Sequence, residues 1–141
     1  MIVADTNLVA AFILRGAATA AAFAVRARDR NWVAPRLLRS ELLGALSKYV
    51  VISRSLDRDE AVKAYRRGLN LVEFPEDSSD PVDVFNICAS SGLTSYDAEF
   101  VAIALERNIK LVSLDSAILK AHPDIAMCGR FRCGPLNPKL I

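Results

Sequence analysis

The 141-residue sequence has one histidine, one tryptophan and three cysteines. His122 has no second histidine with which to form a His-rich metal site. Cys88, Cys128 and Cys133 form an odd set with no CxxC pair and no His at ligand spacing, which free thiols in a reducing compartment explain best. No apolar run approaches the roughly 18 residues of a membrane span. The Ala-rich stretch GAATAAAFAVRA carries Arg26 and follows a strand and a helix, so it is a poor signal peptide and a cytoplasmic location is expected. No excess of charge of one sign stands out: +2 tolerates a polyanionic partner without demanding one.

What is present is a chain with 52% hydrophobic and 24% charged residues, the balance of a compact globule. At this length one domain over residues 1–141 is expected, with about two-thirds of the extended surface buried. Apolar strands are read at MIVA, NWVAP, LNLVEFP and KLVSLD, with a further one near IAMC. Helical patterns fill the intervals: LVAAFIL, an Ala-rich helix to about Arg28, RLLRSELLGALSKYVV, SLDRDEAVKAYRRGL, DPVDVFNICASSG, LTSYDAEFVAIALERN and SAILKAH. Strands alternating with helices of this length imply a mostly parallel sheet covered on both faces, a three-layer α/β/α domain. The stretch from His122 to Ile141 stands apart, with Pro and Gly scattered through it.

Chemistry points to four acids. In such a sheet, functional groups collect beyond the carboxyl ends of the strands. IVAD and LVSLD end there in Asp5 and Asp115. Asp97 heads the apolar stripe of its helix, with Phe100, Val101, Ala104 and Leu105 behind it. Glu41 is read about two turns into its helix, beside Leu38, Leu42 and Ala45, with Lys48 the cation near it on that face. Each acid also has a purely structural reading. Asp5 and Asp115 suit helix caps, Thr94 with Asp97 suits a capping box, and Glu41 suits an ion pair. Taken together the acids favour a shared cleft, because gathered carboxylates repel unless a divalent ion neutralises them. All-oxygen ligation selects hard ions such as Mg²⁺ or Mn²⁺, which assist phosphodiester hydrolysis.

DTN at 5–7, SE at 40–41, SYDAEFVAIA at 95–104 and LVSLD at 111–115 resemble the PIN domain, most nearly the VapC-type toxins of bacterial toxin–antitoxin pairs. The motifs occur in that family's order and span residues 1 to about 121, the motif-bearing core. The resemblance implies a Mg²⁺- or Mn²⁺-dependent endoribonuclease whose metal-binding acids match Asp5, Glu41, Asp97 and Asp115. Thr6 and Ser113 match positions of a supporting hydroxyl. It further implies a homodimer, held inactive by an antitoxin whose tail enters the acidic cleft. The ending GRFRCGPLNPKLI departs from the pattern and leaves residues 122–141 as an atypical tail.

Two rival functions stand beside this one. A phosphatase or phosphoacceptor also places an Asp after its first strand, but residue 7 is Asn where an aspartyl-phosphate hydrolase carries a second Asp. A non-catalytic RNA-binding or partner-binding domain needs none of the acids. Glu99 is read as a surface residue on the far face of its helix. His122 is read as a solvated loop residue and Trp32 as core. The clusters Arg26/Arg28/Arg30, Arg36/Arg39 and Lys63/Arg66/Arg67 are read as solvated faces, some suited to phosphate contact.

Overall fold

The computed structural model describes residues 1–76 and 79–128; the end of the atypical tail lies outside the described residues. Five short strands form one sheet: β1 (Ile2–Ala4), β2 (Trp32–Val33), β3 (Val72–Glu73), β4 (Lys110–Ser113) and β5 (Ala126–Cys128). Their order is β3-β2-β1-β4-β5 and every pairing is parallel. The strands are near-continuous apolar runs, as burial on both faces requires: Val3, Ala4, Trp32, Val33, Leu111 and Val112 are all buried.

Among the described residues the helices are α1 (Thr6–Ile13), α2 (Thr19–Arg28), α3 (Leu38–Val51), α4 (Arg58–Leu69), α5 (Pro81–Ser91), α6 (Ser95–Glu106) and α7 (Ser116–Ala121). Helices α1 to α4 pack on one another, while α5 packs on α6 and α6 on β1 and β4. Right-handed crossovers put these two groups on opposite faces of the sheet, giving the three-layer α/β/α fold. Among the described residues, no helix is long and apolar enough to cross a membrane.

Local chemistry fixes the helix ends. Asp57 and Glu60 form a reciprocal capping box at the start of α4, with hydrogen bonds of 2.8 and 2.9 Å. Gly92 closes α5 at φ 72°, a left-handed conformation suited to glycine.

The structure corrects three readings of the sequence. Glu41 lies in the first turn of α3, because the residues after Pro35 form i→i+3 turns before the helix is established. Helix α6 is not one-faced: Ala98, Phe100, Val101, Ala102, Ile103 and Ala104 are all buried, while Leu105 is half exposed. Wedged between the sheet and α5, it has little free surface. His122 is not a solvated loop side chain; it is partly buried, and its Nε2 is enclosed with no hydrogen-bond partner among the described residues.

Candidate active site

The chain adds β2 and β3 on one side of β1, then crosses to place β4 on the other. The carboxyl ends of β1 and β4 therefore flank the topological switch point, where open α/β sheets form clefts. Asp5 follows β1 directly and Asp115 follows β4 after one residue. Helix α6 and the start of α3 deliver Asp97 and Glu41 to the same place. All four acids line a single cavity of about 420 Å³, together with Thr6, Asn7, Lys48 and Phe100.

Each acid is held by hydrogen bonds, and those of Asp5, Asp97 and Asp115 accompany helix caps. Asp5 caps α1, accepting the Asn7 N–H at 2.6 Å. Its other oxygen accepts the hydroxyl of Ser113, which is fully buried and itself accepts the Asp115 N–H at 2.9 Å. The Thr6 hydroxyl donates to Glu41 Oε2. Thr94 donates to Asp97 Oδ2 at 2.7 Å and caps α6 by accepting the Asp97 N–H at 3.2 Å. Asp115 caps α7 through Oδ1, which takes the N–H groups of Ala117 at 2.7 Å and Ile118 at 3.4 Å. The capping and cleft readings are thus compatible, because a carboxylate offers about four lone-pair positions and a cap uses one or two.

The electrostatics are those of unneutralised negative charge. Burial pushes the Asp5 carboxyl above its usual range, against the opposing hydrogen bonds from Ser113 and Asn7; the nearby Asp115 charge pushes the same way as burial. Burial likewise raises Glu41, opposed by the Thr6 hydroxyl and reinforced by Asp5, Asp97 and Glu99. None of the four acids has an ion pair among the described residues, where the pairs are Met1 with Asp29 and Arg58 with Asp59. Lys48, exposed on α3, is the basic side chain on the cavity wall. Among the described residues the acids share a wall without closing into a formed ion cage. The donor set nonetheless fits a hard divalent cation: the groups able to ligate it are carboxylate, hydroxyl and amide oxygens, with no thiol or imidazole, and Lys48 is the one cation beside them.

The reading of Glu99 is also corrected. It is half-buried, burial raises its carboxyl, and its charge reaches Glu41. The outward face assigned to it from helical spacing is partly covered in the fold. Asn7 and Lys48 also belong to the cavity lining; Lys48 carried a signal in the sequence, as the cation near Glu41 on its helix.

Residues 2–122 match the PIN domain model, and the chain belongs to the PIN domain family. PIN domains are in general nucleases that use divalent metal ions. No curated protein matches the sequence. Among solved structures, PAE2754 from Pyrobaculum aerophilum superposes with a TM-score of 0.72 at 20% identity, over 89% of this chain and 81% of that one. A toxin–antitoxin complex from Klebsiella pneumoniae gives 0.63 at 18% identity, over 92% and 98%. FitAcB from Neisseria gonorrhoeae gives 0.69 at 14% identity, over 92% and 98%. At these identities the three share the fold with this chain.

Proposed function

We propose that this chain is a Mg²⁺- or Mn²⁺-dependent endoribonuclease and the toxin of a VapBC-type toxin–antitoxin pair. The observation that carries the reading is the common cavity of Asp5, Glu41, Asp97 and Asp115 at the switch point, free of ion pairs among the described residues. Those four acids would hold the metal. When bound, it supplies Lewis acidity to the scissile phosphate and acidifies the attacking water.

The rest is work for the chain's own side chains. Ser113 fixes Asp5, Thr6 fixes Glu41 and Thr94 fixes Asp97, so little reorganisation is needed on binding. Glu41 keeps Oε1 without a hydrogen bond among the described residues, which leaves that oxygen open. It is the acceptor for the proton released by the attacking water. Lys48 places a positive charge on the wall where a phosphate oxygen would lie. The phosphoacceptor alternative finds little support, since Asp5 is buried with both oxygens hydrogen-bonded.

Partner readings rest on apolar surface. An apolar groove between α3 and α4 exposes Leu43, Val51 and Val62, a suitable seat for an amphipathic antitoxin segment. Val82 and Phe85, three residues apart on α5, are about two-thirds exposed and suit a contact between two copies of the chain. The similarity to a toxin–antitoxin complex supports the partner reading.

The deciding experiment incubates purified protein with a mixed pool of single-stranded RNA, with Mn²⁺ or Mg²⁺ and then with EDTA. Cleavage should require the ion and vanish with the chelator. RNA binding indifferent to divalent ions, with no cleavage, would establish the non-catalytic alternative instead.

A further inference from the structure

Residues 129–141, GRFRCGPLNPKLI, carry Arg130, Arg132 and Lys139 and no acid. They lie outside the described residues, but the residue from which they start does not. Cys128 ends β5, the edge strand, in parallel register with Ser113 of β4. Ser113 is the side chain that donates to Asp5 and accepts the Asp115 N–H. Because the strands are parallel, the chain leaves β5 at the carboxyl edge of the sheet, the edge that holds the acidic cavity. The tail is thus tethered one strand away from the residue that organises the site.

Reach and charge both suit a return to that cavity. Two strand spacings, about 10 Å, separate β5 from β1, which leads to Asp5. Four extended residues span about 13 Å, enough to carry Arg132 across the cavity and Arg130 to the Asp115 side. The four acids line the cavity without an ion pair among the described residues, with Lys48 as the basic side chain on its wall. Such gathered carboxylates repel one another until cations neutralise them. A guanidinium offers five N–H donors in a plane that matches carboxylate oxygens, so arginine is suited to stand in for an ion. A short tether holds it at an effective concentration on the order of millimolar, which a second molecule in dilute solution does not match.

We infer that the tail folds back over the acidic cavity in the metal-free protein, with Arg130 and Arg132 paired to its carboxylates, and that a divalent ion displaces it. The inference rests on the metal-site reading and adds a regulation to it: the ion competes with cations of the chain itself. Tail and ion exclude one another because both neutralise the same oxygens. A basic segment of a partner protein is the rival occupant, but the tail is already joined beside the site.

The test uses the full chain. Trypsin cuts after Arg130 and Arg132, and the bond after the exposed Arg54 supplies an internal reference for the protease. Cleavage tracks the open population, so the tail bonds of metal-free wild type should be cut slowly relative to Arg54, and Mn²⁺ should speed them at least about fivefold. The variant Glu41→Gln, Asp97→Asn should show the fast rate without any ion. Dilution of the protein should leave the ratio unchanged, as a contact within one molecule requires. By calorimetry in low salt, Arg130→Gln, Arg132→Gln, Lys139→Gln should bind Mn²⁺ at least about fivefold tighter than wild type, a gain that salt should shrink. A control with the same loss of charge, Arg30→Gln, Arg66→Gln, Arg107→Gln, alters exposed residues ahead of β2, β3 and β4 and should stay within about twofold of wild type. Equal Mn²⁺ affinity of wild type and tail variant, with tail bonds cut equally fast in every state, would overturn the contact and leave the metal site intact. Protection that the acid variant abolishes, with no Mn²⁺ bound by any form, would uphold the contact and remove the metal site. Protection lost on dilution would overturn the contact within one molecule and assign the cavity to the tail of a second copy.

Discussion

Ser113 and Asp5, separated by 108 residues of chain, are joined by a buried hydrogen bond in which the serine hydroxyl donates to the carboxylate. Ser113 also accepts the Asp115 N–H, so one side chain orients the two acids that follow the paired strands β1 and β4. Ser113→Ala leaves a buried carboxylate oxygen without its donor, a loss of about 1–3 kcal/mol. Thermal or urea denaturation should show destabilisation of that size, and divalent-dependent cleavage should fall with it. An unchanged transition midpoint would mean that the bond contributes nothing.

The acids themselves can be neutralised with little change in shape. Asp97→Asn and Asp5→Asn should each reduce RNA cleavage at least about 100-fold, since several kcal/mol of charge stabilisation depend on them. Circular dichroism should stay native for both, because Asn can also cap α1 at position 5 and its amide oxygen can accept the Thr94 hydroxyl at position 97. Full cleavage by either variant would dissolve the proposed centre.

The pH dependence has a definite sign. Asp5 and Glu41 bind protons more tightly folded than unfolded, because burial raises both. Their contribution to stability is therefore fully present below the unfolded values of 3.8 and 4.5 and is lost as pH rises through the higher folded values. In EDTA, the metal-free protein should gain stability relative to Asp5→Asn on acidification from neutral pH through the raised Asp5 value. Adding Mn²⁺ at neutral pH should stabilise wild type by mass action and leave Asp5→Asn little changed. A wild type that loses stability against the variant over that window would reverse the assignment.

Two glycines in helices should respond oppositely to alanine. Gly44, on α3 beside the acidic cavity, has nothing within 4 Å of an added Cβ. Gly44→Ala should stabilise by roughly 0.5–1 kcal/mol through backbone entropy. At Gly68, where α4 crosses α1 and α3, the added Cβ meets Leu42 Cδ2 at 2.6 Å and Ile13 Cδ1 at 3.3 Å. Leu42 is fully buried, so overpacking of about 1–3 kcal/mol outweighs the helix gain. Comparative melts should separate the two in sign.

The strands and helices were legible because the relevant periodicities are local. IVA, WV and KLVS are apolar runs of strand length between helical patterns, and the caps at Asp57, Asp80 and Thr94 sit where their residue types suggest. The meeting of Thr6 with Glu41 was not readable from spacing, since it spans 35 residues and depends on how α3 leans against α1. Glu99 was misjudged for a related reason. Helical spacing assigns faces relative to one packing partner, whereas α6 is covered by both the sheet and α5. The PIN resemblance, by contrast, followed from motif order, which needs no geometry.

The pairing of the first strand with the fourth governs when this protein becomes complete. A chain still being synthesised up to Ile109 already carries Asp5, Glu41 and Asp97, yet lacks the strand that supplies Ser113 and leads to Asp115. Asp5 thus waits for Ser113, which is made 108 residues later. Prematurely terminated translation products would hold an unfinished pocket, a safeguard built into the connectivity.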